Sequence, residues 1–294
     1  MTTEASGAAH QQIGRVGVWD HRLAQEDAEF QDENREAAAE LDALGYGAIW
    51  LGGSPRVARA VPLLAATRRI TVATGILSVW NQPAAEVAQD VADLEPGAAE
   101  RFLLGLGVSH APITEGYTRP YAKMVDFLDG LDSAPVPVPP ARRVLAALGP
   151  RMLGLSADRS AGAHPYLVTV EHVAQARAAL GPGRLLAPEL GVVLDPDLAR
   201  GRATARAALS GYLRLPNYVD NWRRLGFTEE DFADGGSDAL LEALFAIGDT
   251  ADVRTRVAAY HEAGADHVAI QALRSDGALP REEWRRLARA LPLN

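Results

Sequence analysis

Residues 105–110 read GLGVSH, which places a serine and a histidine at the end of an apolar run. An apolar run that ends in glycine is typical of a buried strand, and parallel sheets carry their chemistry at the carboxyl ends of strands. His110 can accept or release a proton near neutral pH. A loop histidine hydrogen-bonded to backbone is the structural alternative. The segment therefore indicates either an acid–base group or a structural histidine.

Gly105 and Gly107 also suggest a dinucleotide-binding turn, which needs Gly-x-Gly-x-x-Gly between a first strand and a helix. His110 stands in place of the third glycine, Pro112 follows, and the next helical pattern starts only near residue 121. The segment also falls in the fourth strand–helix unit. We therefore reject the dinucleotide motif and expect that the glycines let a planar ligand approach the backbone.

A second candidate site is the turn at residues 146–150 (AALGP), which precedes Arg151. The free N–H groups and the dipole at a helix start favour an anion. Proline suits the first helical position because its missing N–H is not needed there. Arg151 either adds a charged contact or lies solvated on the helix face. The turn thus predicts a phosphate or carboxylate site.

Short apolar runs alternate with longer helical patterns, which predicts βαβ units around a parallel sheet. The predicted strands are residues 13–19, 47–51, 70–77, 101–106, 143–147, 165–169, 190–194 and 266–271. Helices are expected between them, and the stretch SAPVPVPPA (133–141) predicts a stiff connector. Eight such units predict an α/β fold, a TIM (β/α)8 barrel. Residues 211–248 exceed a simple connection and predict a helical insertion before the last strand–helix units.

Composition narrows the class of protein. The absence of cysteine excludes disulfides, zinc–thiolate sites and cysteine nucleophiles. The net charge of −9 disfavours nucleic acid as a partner. No stretch reaches the ~20 apolar residues of a membrane span. We expect a cytoplasmic protein with a disordered leader (1–12), a single domain (13–294), no membrane or nucleic-acid partner and no metal; glycine-rich strand ends also make a metal-dependent hydrolase a poor candidate.

Four blocks of the sequence carry a family resemblance. They are ITVATGILSVWNQPAAEVAQ (70–89), RFLLGLGVSHAPITEGY (101–117), RVLAALGPRMLGLSADRSAGAHPYLVT (143–169) and GADHVAIQ (264–271). In this order they resemble the luciferase-like monooxygenase superfamily, and most strongly its branch of oxidoreductases that use the deazaflavin coenzyme F420. The resemblance implies a cofactor ring across the carboxyl-terminal mouth of the barrel.

The resemblance also implies site residues. A cis peptide bond that is not before proline is expected at Gly75–Ile76, with an ordinary strand containing a glycine bulge as the alternative. His110 matches a position that is a carboxylate in deazaflavin relatives, and we expect it to transfer the proton. The implied cofactor contacts are Gly52, Gly53, Gly75, Ile76, Leu77, Gly107, Val108, Ser109, His110, Ala147, Leu148, Gly149, Pro150 and Arg151.

One departure puts the exact chemistry of the relatives in doubt. Deazaflavin dehydrogenases carry an acidic residue and a histidine after the second strand, where this sequence has Gly52 and Gly53. His21 and His164 are the histidines that could substitute. The two glycines are also compatible with a pocket widened for a larger substrate.

The expected substrate contacts at the mouth are Trp19, Tyr218 and Trp222. The last two lie in the predicted insertion, where apolar residues form either a substrate lid or a separate small core.

The resulting hypothesis is an oxidoreductase that moves a hydride between coenzyme F420 and a small organic substrate. One alternative is an FMN-dependent luciferase-like monooxygenase, and another is a non-catalytic cofactor-binding barrel. Relatives commonly pair through helices near the second and third strands. The resemblance therefore implies a homodimer, although the spacing of Val87, Val91 and Leu94 equally fits packing on the same barrel.

Overall fold

The computed structural model describes residues 13–25 and 27–293. The leader expected at residues 1–12 lies outside these ranges. The strands are β1 (Val16–Asp20), β2 (Ala48–Leu51), β3 (Thr71–Thr74), β4 (Leu77–Ser78), β5 (Phe102–Gly107), β6 (Arg143–Leu145), β7 (Gly162–Ala163), β8 (Leu185–Leu186), β9 (Glu189–Val193), β10 (Phe245–Ile247) and β11 (Val268–Ala272).

Helices follow most strands along the chain. They are α1 (Ala28–Leu44), α2 (Val61–Ala66), α3 (Ala84–Ala92), α4 (Pro96–Ala99), α5 (Pro120–Asp132), α6 (Pro150–Arg159), α7 (Val170–Leu180), α8 (Leu198–Leu209), α9 (Pro216–Arg224), α10 (Glu229–Phe232), α11 (Asp238–Leu244), α12 (Thr250–Glu262) and α13 (Arg281–Ala290). No helix in the described part of the chain is long and apolar enough to cross a membrane.

The strands form one curled sheet in which every pairing is parallel. Its order is β10-β9-β11-β1-β2-β3-β5-β6-β7-β8, with β4 beside β5. Only Ala187 and Pro188 separate β8 from β9, so one short segment pairs with β7 at its start and with β11 further on. The parallel α/β sheet is confirmed, while the closed eight-stranded barrel stays a prediction.

Side chains alternate across the strands and fill two cores. Ile49 and Leu51 of β2 point outward into the layer between sheet and helices. Trp50 between them points inward and packs with Trp19, Leu103 and other residues inside the curl. Burial on both faces explains why these strands read as nearly continuous apolar runs in the sequence.

The sixth predicted strand, residues 165–169, is wrong. The strand is β7, three residues earlier, because Pro165 has no N–H to donate to a sheet ladder. Its carbonyl instead accepts a hydrogen bond from Glu189 N at 2.9 Å, and Leu167 adopts a positive φ of 50°. The third predicted strand, 70–77, is split into β3 and β4 at Gly75–Ile76. The other predicted strands agree within a few residues.

Helix α3 bears on the expected homodimer. Val87 is fully buried and Leu94 is 8% exposed, and both belong to the core between sheet and helices. The apolar spacing is therefore used within the chain. The homodimer remains a prediction that rests on the resemblance alone.

Candidate active site

The break between β3 and β4 lies beside the carboxyl end of β5. The Gly75–Ile76 peptide bond is cis, which confirms that expectation. Thr74 holds the adjacent backbone, because its hydroxyl contacts both the carbonyl and the N–H of Gly105 at 2.8 Å. Trp19 Nε1 donates to the Gly75 carbonyl at 2.8 Å. The bulge is thus fixed by β5 on one side and by the Trp19 side chain of β1.

The glycines of GLGVSH serve this bulge rather than a planar ligand. A Cβ at Gly105 would lie 1.9 Å from the Thr74 carbonyl oxygen, and one at Gly107 would lie 2.4 Å from Ile76 Cδ1. Close packing of β5 on the bulge therefore explains both glycines. Ile76 occupies the space that we expected a cofactor to occupy next to Gly107.

Gly52 likewise makes room for a neighbouring side chain. A Cβ at this position would lie 2.4 Å from two carbons of the Trp19 ring. Trp19 is only 7% exposed and fills the space above Gly52 and Gly75. Gly53 is different, because a Cβ there would have no neighbour closer than His21 Cβ at 3.7 Å.

His110 follows β5 in an extended conformation, after Ser109 with a φ of 56°. Its imidazole is half-buried, and Nδ1 has no hydrogen-bond partner. Burial lowers the pKa of His110 below its ordinary value, so the ring is neutral at pH 7. A neutral imidazole with an unpaired nitrogen is a competent proton acceptor.

The chain around His110 is held by side chains. Val108 accepts a hydrogen bond from Trp80 Nε1 at 2.6 Å through its carbonyl oxygen. The Ser109 hydroxyl accepts one from Thr114 at 2.8 Å. These contacts position the histidine, and they give Ser109 a structural partner in addition to its expected role.

The helix start predicted at residues 149–150 forms at the expected place, whereas its role as an anion site stays a prediction. Gly149 is the extended N-cap of α6 and Pro150 is its first residue. A Cβ on Gly149 would meet no atom within 4 Å, so the approach to this helix start is open. Ala147 is buried and Leu148 is half-buried. Arg151 packs over the Tyr121 ring, with Cζ at 4.4 Å from the centroid. This cation–π contact gives the guanidinium a partner within the chain, so its position does not require a bound anion.

Aromatic side chains fill the middle of the mouth. We call Trp19, Tyr166, Tyr212, Tyr218 and Trp222 the aromatic cluster. Successive ring centroids along it lie 5.1, 5.5, 5.2 and 5.9 Å apart. Each ring packs against the next one in the cluster.

The cluster joins the curled sheet to the segment where we expected an insertion. Trp222 is fully buried and donates to the Leu167 carbonyl at 3.1 Å, so it is a core residue and not an exposed substrate contact. Tyr218 is 6% exposed and belongs to the same second core, which favours the small-core interpretation of these residues. Tyr166 donates to Gln271 Oε1 at 2.8 Å.

Three buried ionisable groups lie inside the curl. Sequence reasoning missed Glu189, whose only signal was a lone carboxylate in an apolar run. Its Oε2 accepts from Leu167 N at 3.1 Å, its Oε1 has no partner, and burial raises its pKa to about 8.

His164 stacks on Trp50 at 4.0 Å, and burial lowers its pKa to about 4. His267 Nε2 accepts from Trp50 Nε1 at 3.1 Å. Full burial therefore removes His164 from the candidate proton donors.

A cleft of about 590 Å³ opens beside the aromatic cluster, at the ends of β1, β2 and β4. Its volume lies within the range of small-molecule sites. The cleft is lined by His21, Ala24, Gln25, Gly52, Gly53, Ser54, Pro55, Arg56, Arg59, Leu77, Asn81 and Gln82. The expected cofactor contacts Gly52, Gly53 and Leu77 thus meet here, together with polar residues for which no role was expected. No group of three His, Asp or Glu residues able to hold a metal occurs in the described ranges.

Comparison with known proteins gives a family match and a fold match. Residues 14–134 match the model of the luciferase-like monooxygenases. The resemblance is confirmed over this part of the chain. No curated protein sequence matches.

Solved structures with the same fold belong to both cofactor classes. An F420-dependent secondary alcohol dehydrogenase, in complex with an F420–acetone adduct, is 13% identical with a TM-score of 0.72, covering 95% of this chain and 98% of its own. The F420-dependent tetrahydromethanopterin reductase of Methanopyrus kandleri is 14% identical with a TM-score of 0.71, covering 95% and 98%. The oxygenating constituent of 3,6-diketocamphane monooxygenase from Pseudomonas putida, in complex with FMN, is 14% identical with a TM-score of 0.65, covering 94% and 96%.

The residues present fit a flat cofactor on one side of the mouth. Gly53 is open, Leu77 lines the same cleft, and His110 offers an unpaired buried nitrogen. Gly52, Gly107 and Arg151 already have other neighbours. A flat ring therefore fits at the cleft and the β5 end, and not in the middle of the aromatic cluster.

Proposed function

We propose that the protein is an oxidoreductase that transfers a hydride between coenzyme F420 and a small organic alcohol or carbonyl compound. The observation that carries the proposal is the unpaired Nδ1 of a neutral His110 at the end of β5. The shared fold of an F420-dependent alcohol dehydrogenase supports it. The match to the luciferase-like family supports an enzyme rather than a non-catalytic barrel.

His110 would act on the substrate hydroxyl. When an alcohol is oxidised, the carbon loses a hydride and the oxygen loses a proton, and a neutral imidazole is suited to accept that proton. In the reverse direction the imidazolium returns the proton to the forming alkoxide. Bound deazaflavin would supply the hydride acceptor or donor.

The proposed cofactor contacts divide by what surrounds them. Gly53, Leu77 and His110 would border the ring, and the free N–H groups at the start of α6, beside Gly149, would bind its phosphate. The nearby aromatic side chains would exclude water from the reacting atoms. The proposal also takes the sheet to close through the segment between β8 and β9, which is supported by the hydrogen bond from Ala269 N to the Pro188 carbonyl.

An FMN-dependent monooxygenase is the second candidate. The likeness to the FMN-bound Pseudomonas putida enzyme favours it. The same cleft and helix start would serve a flavin ring and its phosphate. The two candidates differ in their co-substrate, because a monooxygenase requires molecular oxygen and a reduced flavin.

Anaerobic turnover tests the proposal. The full chain is mixed with oxidised F420 and a panel of secondary alcohols, and loss of the deazaflavin absorbance is followed. Turnover without oxygen supports the proposal, provided that it is lost in His110→Gln and retained in His261→Gln. His261 is a matched control, because it is also half-buried with a lowered pKa but lies at the end of α12. An oxygenated product formed only with reduced FMN and oxygen would favour the second candidate.

A further inference from the structure

The cleft defined above carries a positive charge on a protein whose net charge is −9. Arg56 lines it, and the described lining residues include no aspartate or glutamate. Arg56 is exposed, and no carboxylate of the described residues forms an ion pair with it. A guanidinium in this position is suited to bind a carboxylate with two parallel hydrogen bonds.

Gln82 supplies an unused hydrogen-bond acceptor in the wall of the same cleft. The side chain is 6% exposed, and its Nε2 donates to Asp90 Oδ2 at 3.1 Å. This contact fixes the amide orientation, because an ionised carboxylate can only accept a hydrogen bond. Oε1 has no partner. A buried acceptor without a donor indicates that a bound molecule or water completes it.

The walls of the cleft are tied together. Ser54, with a φ of 62°, accepts hydrogen bonds on its hydroxyl oxygen from Ser78 N at 2.9 Å and from Asn81 Nδ2 at 3.2 Å. These bonds join the loop that carries Arg56 to the segment that carries Gln82. The backbone segments that carry the two residues are therefore tied together before any ligand binds.

The cleft is connected to the proposed catalytic histidine through Trp80, which lies between Ser78 and Gln82. Its indole donates to the Val108 carbonyl, two residues before His110. Apolar lining from Ala24, Pro55 and Leu77 leaves room for the body of a ligand.

We propose that this cleft binds the substrate and selects a hydroxylated carboxylic acid with an apolar body. Arg56 binds the carboxylate, and a hydroxyl of the ligand donates to Gln82 Oε1. The inference rests on the proposed function, because it takes this acid to be the substrate. The hydroxyl bound by Gln82 orients the acid, and a separate hydroxyl or carbonyl oxygen at His110 is the group that reacts.

Isothermal titration of the full chain without cofactor tests the inference independently of turnover. The probe is mandelate, compared with phenylacetate, which lacks the hydroxyl, and mandelamide, which lacks the charge. We expect mandelate to bind, and each analogue to bind at least about tenfold more weakly. We expect Arg56→Gln to weaken mandelate binding to a similar degree, Arg56→Lys to retain part of it, and Arg68→Gln, at an exposed arginine outside the cleft, to leave it unchanged.

Inorganic phosphate separates a substrate site from a site for the cofactor phosphate. Phosphate binding that is tighter than mandelate binding and is lost in Arg56→Gln would overturn the inference, as would equal affinity for mandelate and phenylacetate. Mandelate binding without any F420 turnover would leave the inference standing and contradict the proposed function. F420 turnover of neutral alcohols that is unchanged in Arg56→Gln would support the proposed function and contradict the inference.

Discussion

The imidazole of His110 packs against the ring of Tyr218, with 5.1 Å between the centroids and 37° between the planes. A residue on β5's carboxyl end is thereby joined to α9, a helix more than 100 positions later in the chain. Tyr218 also contacts Tyr212 and Trp222. The histidine therefore meets a desolvated aromatic wall on one side while its Nδ1 stays unpaired.

Replacing His110 by glutamine tests its role in proton transfer. We expect kcat to fall by roughly 10²-fold or more, as for the loss of a general base, with little change in cofactor affinity. Because burial lowers the pKa of His110, activity in alcohol oxidation should fall with decreasing pH only below the ordinary histidine range. The pH profile of kcat/KM checks this, and a profile of His110→Gln that keeps the same acidic limb would contradict the assignment.

The histidines inside the curl should make the fold sensitive to acid. Burial lowers the pKa of His164 to about 4 and that of His267 to about 3, so the unfolded chain binds more protons than the folded one below pH 6.5. The stability that depends on keeping these two histidines neutral is thus fully present above that pH. It is lost as the pH falls towards their pKa values in the folded state. We expect a loss of roughly 2 kcal/mol per histidine between pH 7 and pH 5.

Urea unfolding at several pH values measures this loss. His164→Gln should flatten the acid slope, whereas His21→Gln, at an exposed position, should keep it. An unfolding free energy that does not change between pH 7 and pH 5 would show that the two histidines are not held neutral.

Glu189 should give the opposite pH dependence. Burial raises its pKa to about 8, so the folded state holds a proton that the unfolded state releases above its ordinary value. The contribution of protonated Glu189 to the free energy of unfolding is therefore lost as the pH rises from about 4.5 to 8. We expect Glu189→Gln to stabilise the fold by roughly 2 kcal/mol at pH 7 and to leave stability unchanged near pH 4. Unfolding curves at both pH values check this, and equal effects at the two would refute it.

Gly52→Ala tests whether Gly52 makes room for Trp19. The added Cβ would lie 2.4 Å from the indole, so the ring must shift, and we expect a loss of roughly 1–3 kcal/mol. Gly154→Ala in α6 is the control, because no atom lies within 4 Å of its Cβ and alanine favours helix by about 0.5–1 kcal/mol. Thermal unfolding measures both, and a neutral Gly52→Ala would reopen the idea of a widened pocket.

Local patterns were sufficient to predict the parallel sheet, but not β10 (Phe245–Ile247), which lies within residues 211–248, where only a helical insertion was expected. Continuous apolar runs mark strands buried on both faces, and Gly45, at a φ of 92°, ends α1 as glycines in a left-handed conformation commonly do. The failure at residues 165–169 arose because an apolar run reads as a strand regardless of the backbone donors that Pro165 lacks.

The residues of the candidate site were harder to predict from the sequence than the strands. Gly52, Gly105 and Gly107 suggested space for a ligand, but whether a glycine faces a ligand or a neighbouring side chain depends on contacts between distant segments. Trp19 and Ile76, which fill that space, give no local signal. Arg56 and Gln82 were passed over for the same reason, because only the fold brings the two loops that carry them to one cleft.

Equilibrium titration of the full chain with F420 and, separately, with FMN is the most direct test of the central claim. We expect F420 to bind in a one-to-one complex, to be displaced poorly by FMN, and to be reduced in the complex on addition of an oxidisable alcohol. Tight binding of FMN with no binding of F420 would contradict the account.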